Sequence, residues 1–360
     1  MVYVSPSLLA ADFSVIKEEL SSVKNADYLH VDVMDGIFVS QKTLFFDPEN
    51  VKLVHKYSKI PIHTHLMVEH PLSLIKSYAK EGSSIISFHV EAKDDPYAVI
   101  AAIKKQKCKV SIALNPETAV EKILPYLALV DHVLIMSVVP GKGGQEYIAS
   151  STAKIRLLKQ IILQMDFQIL IEVDGGIKLE NCFQPIIAGA DVLISGTGIF
   201  GQKDKDKRME AVEKMKEVIL LGADHAGYQL KEYVKQLLTQ KGIAYKDFGT
   251  NSEESVDYPL YAQKVAKPIS QGKAKRGILV CGTGQGMAIA ANRYKGVRAS
   301  LCLDTFYAQQ AREHGDSNVL CLAGRVTQQK DIAAILDAWL DTPFSNEDKR
   351  IRRLQEIDRF

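Results

Sequence analysis

Two carboxylates and two histidines in the first half of the chain have the types and spacing of a metal-assisted proton-transfer site. His30 and Asp32 lie two apart in Leu29-His30-Val31-Asp32-Val33-Met34-Asp35-Gly36, and residues i and i+2 of a strand face the same way. His65 and Asp174, the latter in Glu172-Val173-Asp174-Gly175-Gly176, end two further strand-like runs. Four such donors converging on one point suit Zn²⁺, Fe²⁺, Mn²⁺ or Co²⁺. The chemistry would be proton abstraction beside a carbonyl. A metal would stabilise the enediolate oxygens while one aspartate removes a proton and the other returns one on the opposite face. In the second half, Cys281-Gly282-Thr283-Gly284-Gln285-Gly286 sets a thiol above a glycine run that opens a helix. Several amides can then point at one spot, assisted by the helix N-terminus, which makes a hole for an enediolate oxygen. A thiol beside that hole could act as a base where positive surroundings favour its thiolate.

The elements that must position these residues follow from the hydrophobic pattern. Short apolar, β-branched runs alternate with amphipathic stretches, the signature of parallel βα units. The first half carries strand-like runs at 2–5, 28–33, 60–65, 84–89, 109–114, 132–137, 168–173 and 191–195. Eight such units predict an N-terminal (β/α)8 TIM barrel with its site at the C-terminal strand ends. There Asp32, His65, Met136, Asp174 and Gly196 are each expected to close a strand. A charged helix over 204–217 would complete the outer ring. The pattern then restarts, with strand-like runs at 218–222, 244–248, 277–281, 297–301 and 319–323. These predict a doubly wound, Rossmann-like, five-stranded parallel α/β/α domain that binds ligands at the carboxyl ends of its strands. The expected domains are therefore 1–217 and 218–360. Gly143-Gly144, Gly175-Gly176 and Gly196-Thr197-Gly198 follow the sixth, seventh and eighth barrel strands, where close backbone approach would form one phosphate cradle.

Composition narrows the classes. A length of 360 residues exceeds what one core usually supports. With 46% hydrophobic and 24% charged residues, the chain has the balance of an ordinary globular protein. A formal charge of +2 and the lack of a basic stripe with interleaved aromatics predict no nucleic-acid partner. No apolar run is long enough to span a bilayer. The start at Val2-Tyr3-Val4 carries no charged-then-apolar leader. Five cysteines without a CxxC pair fit a reducing compartment. A cytoplasmic protein without a membrane partner is the expectation, and no motif for a nucleotide cofactor is evident.

Ser5-Pro6-Ser7-Leu8-Leu9-Ala10-Ala11-Asp12-Phe13, the LHVDVMDG run, His65-Leu66-Met67-Val68, Met136-Ser137-Val138, Pro140-Gly141, Gly143-Gly144-Gln145 and EVDGGI resemble, in this order, the ribulose-phosphate 3-epimerase family. The resemblance spans roughly residues 1–217. It implies one divalent metal held by His30, Asp32, His65 and Asp174, with Asp32 and Asp174 as the acid/base pair. It further implies that Ser7 contacts substrate and that Met34, Met67 and Met136 form a soft wall around the enediolate. The chain departs from the family pattern at Ile37, at Phe38-Val39-Ser40-Gln41, at His63, and at Val139 and Lys142. These changes spare the implied ligands and bear on the sugar's length and hydroxyl pattern.

Residues 218–360 resemble the B-type ribose-5-phosphate isomerase family through Gly222-Ala223-Asp224-His225-Ala226-Gly227, Asp247-Phe248-Gly249-Thr250, Ser255-Val256-Asp257-Tyr258-Pro259, the Cys281 run and Asp316-Ser317-Asn318-Val319. The resemblance implies Cys281 as the base moving a proton between C1 and C2, Thr283 as its polar helper, and amides of Gly282, Gly284 and Gly286 as the anion hole. Asp224, with His225 beside it, and His314 would bind the sugar and help open its ring. Family arginines spaced four apart clamp the phosphate. Here Arg353 matches the second, Lys349 falls where the first is expected, and Arg350 stands in place of a histidine; Gly315 replaces an asparagine. Family sites of this kind form between subunits, which implies at least a homodimer through this half.

Both resemblances concern consecutive steps on one small sugar phosphate. The reading is a bifunctional isomerase interconverting ribose 5-phosphate, ribulose 5-phosphate and xylulose 5-phosphate. One rival carries the same two reactions on a hexose: allose 6-phosphate to allulose 6-phosphate to fructose 6-phosphate. Another is a sugar-phosphate-binding regulator without turnover, against which the retained acid pair and thiol argue.

Overall fold

A computed structural model describes residues 1–359. Two compact units divide the chain, one over Val2–Lys216 and the other from Glu217 onward together with Met1. No helix among the described residues is long and apolar enough to cross a membrane.

The first unit is a ring of eight parallel strands: β1 (Tyr3–Pro6), β2 (Leu29–Met34), β3 (Ile62–Met67), β4 (Ser83–His89), β5 (Lys109–Leu114), β6 (His132–Met136), β7 (Leu170–Asp174) and β8 (Val192–Ser195). Each pairs with its sequence neighbour, and β1 pairs with β8. The remaining seam, between β1 and β2, is closed by a parallel bridge from Ser7 to His30. A (β/α)8 barrel results, as the alternation predicted. Its strands are near-continuous in burial because helices cover the outside while the inner face fills the barrel.

Strand ends differ from expectation in one useful way. Met136 and Asp174 do close β6 and β7, and Gly196 directly follows β8. Asp32 and His65, however, lie two residues before the ends of β2 and β3, which run on to Met34 and Met67. The alternation continues past the polar residues because Met34 and Met67 are themselves inward and buried. The two methionines therefore sit one layer nearer the mouth than the donors. Between β3 and β4 the register slips, Ile62 facing Ser83 and His63 facing Ile85, so that β4 carries one extra residue at Ser84. The closing helix runs Lys205–Lys216; Arg208 on it donates to buried Glu19 at 2.6 Å.

The second unit is a five-stranded parallel sheet in the order β10 (Tyr245–Asp247), β9 (Ile219–Ala223), β11 (Arg276–Cys281), β13 (Val319–Ala323), β12 (Ala299–Leu301). It is the doubly wound Rossmann-like sheet expected. Strand order reverses between β9 and β11, so a crevice opens beyond their carboxyl ends. Its core includes Leu221, Val234, Val280, Leu320, Leu336 and Trp339, the last fully buried.

Candidate active sites

On β2, strand alternation turns His30, Asp32 and Met34 inward; on β3 it does the same for His63, His65 and Met67. The imidazoles of His30 and His65 are fully buried, whereas the Asp174 side chain keeps 15% exposure. His30 Nε2 lies 3.3 Å from Asp32 Oδ1 and 3.6 Å from Asp174 Oδ2. His65 Nδ1 lies 3.4 Å and 3.9 Å from the same two atoms. One donor atom from each of the four residues falls within 4.8 Å of the others. Yet His30 Nε2 and His65 Nδ1 make no hydrogen bond despite complete burial. Orphaned imidazole nitrogens facing two carboxylates are costly unless something positive joins them, and two nitrogens with two oxygens are the donor set of a borderline divalent cation. The residues present therefore fit such an ion.

The charges agree. Burial opposes a protonated His30, but Asp32, and after it Asp174 and Glu172, outweigh burial and raise it to about 9. Burial likewise opposes ionised Asp32, but His30 and then His65 hold it well below the ordinary carboxylate range. Ser7 Oγ adds a hydrogen bond to Asp32 Oδ2 at 2.7 Å. Asp174 moves the other way: burial raises it, and the charges of Asp32 and Glu172 add to the rise beyond what His30 offsets. Two neighbouring carboxyls are thus driven apart in protonation.

Above the donors lies a cavity of about 420 Å³. Ser7, Asp32, Met34, Met67, Met136, Asp174, Gly143, Gly144, Gly175, Gly176, Gly196 and Thr197 all line it, while His30 and His65 lie beneath. Gln41 and Lys142 line it too; they lie in the two loops where the sequence departs from the family pattern, and no catalytic spacing marks them. Gln145 Nε2 donates to the carbonyls of Val139 and Lys142 at 2.7 Å each, stapling the lid loop. Gly176 has φ +66°, and a Cβ there would come within 2.3 Å of the Tyr147 amide nitrogen. An Ala at this position carries strain of roughly 1–3 kcal/mol. Gly176→Ala is expected to raise KM about tenfold for the sugar phosphate that the sequence resemblance implies, with a smaller change in kcat, in steady-state assays.

One layer deeper, the barrel interior is polar. Glu172, fully buried, accepts from Ser111 Oγ at 2.8 Å, sits 2.9 Å from His132 Nδ1, and approaches His63 Nδ1 at 3.5 Å. His63, pushed down to about 3 chiefly by burial, pairs through Nε2 with Ser87 Oγ at 3.0 Å. Its ring meets His30 edge to face at 4.8 Å. His63 thus belongs to the floor beneath the donors. No short sequence spacing links residues 63, 87, 111, 132 and 172.

In the second unit, Cys281 ends β11 and is buried. Gly284, at φ +74°, starts the helix Gln285–Ala291; a Cβ there would strike Leu301 at 2.4 Å, so glycine is required for the turn. Thr283 is exposed beside it. Asp224 follows β9, is buried, and accepts from the Gly227 amide at 3.0 Å. His225 Nδ1 accepts from the Val256 amide at 3.2 Å, which leaves the proton on Nε2. Arg325, which the sequence reading passed over, follows β13; its amide donates to Gly282 O at 2.9 Å. The sequence marked it only weakly, by its place two residues beyond a predicted strand end.

His314 lies in the helix Thr305–Gly315, against which the helix Asp348–Ile357 packs. Lys349 pairs with Glu347 at 2.5 Å, and Arg353 is exposed. Glu347 is held below its ordinary value by Lys349 first, with Arg350 and His314 contributing. His314, Lys349 and Arg350 therefore share one neighbourhood. Among the described residues, no hydrogen bond or ion pair joins Cys281 to this group.

Comparison with known proteins matches residues 3–200 to the ribulose-phosphate 3 epimerase family and residues 219–357 to the ribose/galactose isomerase family. The ribulose-phosphate 3-epimerase of Helicobacter pylori strain J99 is 39% identical over 214 residues, covering 59% of this chain and 98% of that protein. That of Bacillus subtilis is 38% identical over 219 residues, covering 60% and 100%. Among solved structures, a ribose 5-phosphate isomerase of Thermotoga maritima is 49% identical, covering 40% of this chain and 99% of its own, with a TM-score of 0.39. Ribose-5-phosphate isomerase B of Mycoplasma genitalium with bound ribulose-5-phosphate is 36% identical, covering 39% and 94%, with a TM-score of 0.38.

Proposed function

Because the chain belongs to the ribulose-phosphate 3-epimerase family through residues 3–200 and carries a ribose/galactose isomerase domain over residues 219–357, we propose that it converts ribose 5-phosphate to ribulose 5-phosphate in one unit and epimerises that product to xylulose 5-phosphate in the other. Both halves belong to enzyme families, and sugar phosphates are their substrates.

In the barrel, Asp32 and Asp174 are the acid/base pair. Asp32, kept ionised by His30 and by its bond from Ser7, is the group ready to take the C3 proton. Asp174, at the end of β7 across the site from Asp32, is the group placed to return one. Two carboxyls facing one cavity from different strands are what a two-base epimerisation needs. His30, Asp32, His65 and Asp174 would hold a divalent cation, which when bound supplies positive charge beside the substrate's carbonyl and lowers the cost of removing the adjacent proton. Met34, Met67 and Met136 limit water at the reacting carbons. Gly143, Gly144, Gly175, Gly176, Gly196 and Thr197 receive the phosphate through backbone amides.

In the second unit, Cys281 moves the proton between C1 and C2, Thr283 assists it, and the amides of Gly282, Gly284 and Gly286 take up the developing oxyanion. Asp224, His225 and His314 bind the sugar, and Lys349, Arg350, Arg353 and Arg325 supply cations for its phosphate. The resemblance of this half to the B-type isomerases implies a site completed by a second copy.

The observation that carries this reading is the convergence of two orphaned imidazoles and two carboxyls under one 420 Å³ cavity. Proton NMR of the protein with ribose 5-phosphate, and separately with allose 6-phosphate, tests it. Xylulose 5-phosphate appearing from ribose 5-phosphate is expected. Efficient fructose 6-phosphate formation from allose 6-phosphate with slow pentose turnover would transfer the reading to hexoses. Absence of any turnover would sink both.

A further inference from the structure

Behind His65, on the side away from the cavity, two further residues stand in line. His65 Nε2 is 2.9 Å from His89 Nε2, and His89 Nδ1 is 3.2 Å from Glu91 Oε2. Glu91 is anchored in turn: it accepts from the Asn115 amide at 2.9 Å and from Thr118 Oγ1. That loop is held by Lys154, whose ammonium donates to the carbonyls of Asn115, Pro116 and Thr118 at 2.8, 2.7 and 2.6 Å. His89 is fully buried at its side chain and stacked on His65, and the Phe38 ring lies tilted against it with centroids 4.9 Å apart. Neither His89 nor Glu91 lines the cavity.

We infer that His89 and Glu91 are positioning residues that set the tautomer and ring orientation of His65 for cation binding. The inference rests on the divalent-cation reading above. Two imidazoles meeting nitrogen to nitrogen share one proton, and the line admits two neutral arrangements. If His89 donated to His65, its own Nδ1 lone pair would face the Glu91 carboxylate, and the proton of His65 would sit on Nδ1, toward Asp32 and Asp174. In the reverse order, Glu91 accepts from His89 Nδ1–H, His89 Nε2 accepts from His65 Nε2–H, and the lone pair of His65 Nδ1 is left aimed among the donors. Only the second order leaves no two acceptors facing each other. Glu91 can end the line because it stays a carboxylate: burial opposes this, but the bond from His89, then those from Thr118 and Asn115, hold it down to about 2. Such outer partners typically change metal affinity by 10- to 100-fold when lost.

Glu91→Gln in the full chain keeps the shape and removes the charge. Zn²⁺ affinity, measured by competition with a chromogenic chelator, is expected to fall on the order of 10- to 100-fold, while metal-free melting and turnover by the second unit stay at wild-type values. Thr118→Val, which leaves the carboxylate but removes one of its donors, should weaken Zn²⁺ by a smaller factor. Long-range proton–nitrogen correlation in Zn²⁺-loaded protein should show His89 protonated on Nδ1 and His65 on Nε2. An affinity within twofold of wild type in Glu91→Gln, or His89 protonated on Nε2, overturns the inference. Wild-type protein that fails to bind Zn²⁺, Fe²⁺, Mn²⁺ or Co²⁺ would instead defeat the cation reading, and the inference with it.

Discussion

Asp174→Asn is expected to lower epimerisation of ribulose 5-phosphate on the order of 10²- to 10⁴-fold, the usual contribution of a positioned acid or base, while ribose 5-phosphate and ribulose 5-phosphate continue to interconvert at the wild-type rate. The carboxamide fills the same volume at the end of β7, and the side chain is partly exposed, so the barrel loses little packing. What it loses is a proton that can leave. An amide cannot complete an exchange in which Asp32 takes hydrogen from one face and Asp174 gives it to the other. Proton NMR in deuterated solvent separates the halves of the event. With Asp32 intact, slow exchange of the C3 proton without inversion would identify Asp174 as the returning acid. Equal loss of exchange and inversion would mean that it also sets the charge on which abstraction depends.

Cys281→Ala should give the reverse pattern: isomerisation of ribose 5-phosphate reduced on the order of 10²- to 10⁴-fold, epimerisation untouched. The thiol is buried at the strand end, and alanine leaves the Gly282–Gly286 turn as it is. Sugar binding should therefore survive the loss of turnover, which equilibrium binding of ribose 5-phosphate can check. Both activities disappearing in either variant would contradict two independent sites.

Much of the architecture was readable because each half is made of parallel strands whose apolar runs are short and whose connecting helices are amphipathic. The two-residue spacing of His30 and Asp32 already put them on one face, and the end of a strand put Asp174 near them. Finer placement depended on where strands stop. Asp32 and His65 were expected as last residues, yet Met34 and Met67 extend both strands, since a methionine reads equally as strand or as loop. The polar floor of His63, Ser87, Ser111, His132 and Glu172 was invisible for a different reason. Its members come from five strands, and only closure of the ring brings them into one layer. His89 and Glu91 were hidden likewise: a histidine closing β4 and a glutamate two residues on look like part of a solvated loop until His65 is seen beside them. In the second half, the Cys281 turn announced itself through its glycines. Arg325 did not, because its backbone, tied to Gly282, is what brings it to the edge.

Only Glu217 and Val218 separate the last barrel helix from the first strand of the sheet. Because both units belong to one chain, each round of synthesis delivers one barrel and one sheet unit together. Their copy numbers cannot drift apart through separate transcription, translation or turnover. Any change in the ratio of the two activities must therefore act on the finished chain, at one unit and not the other.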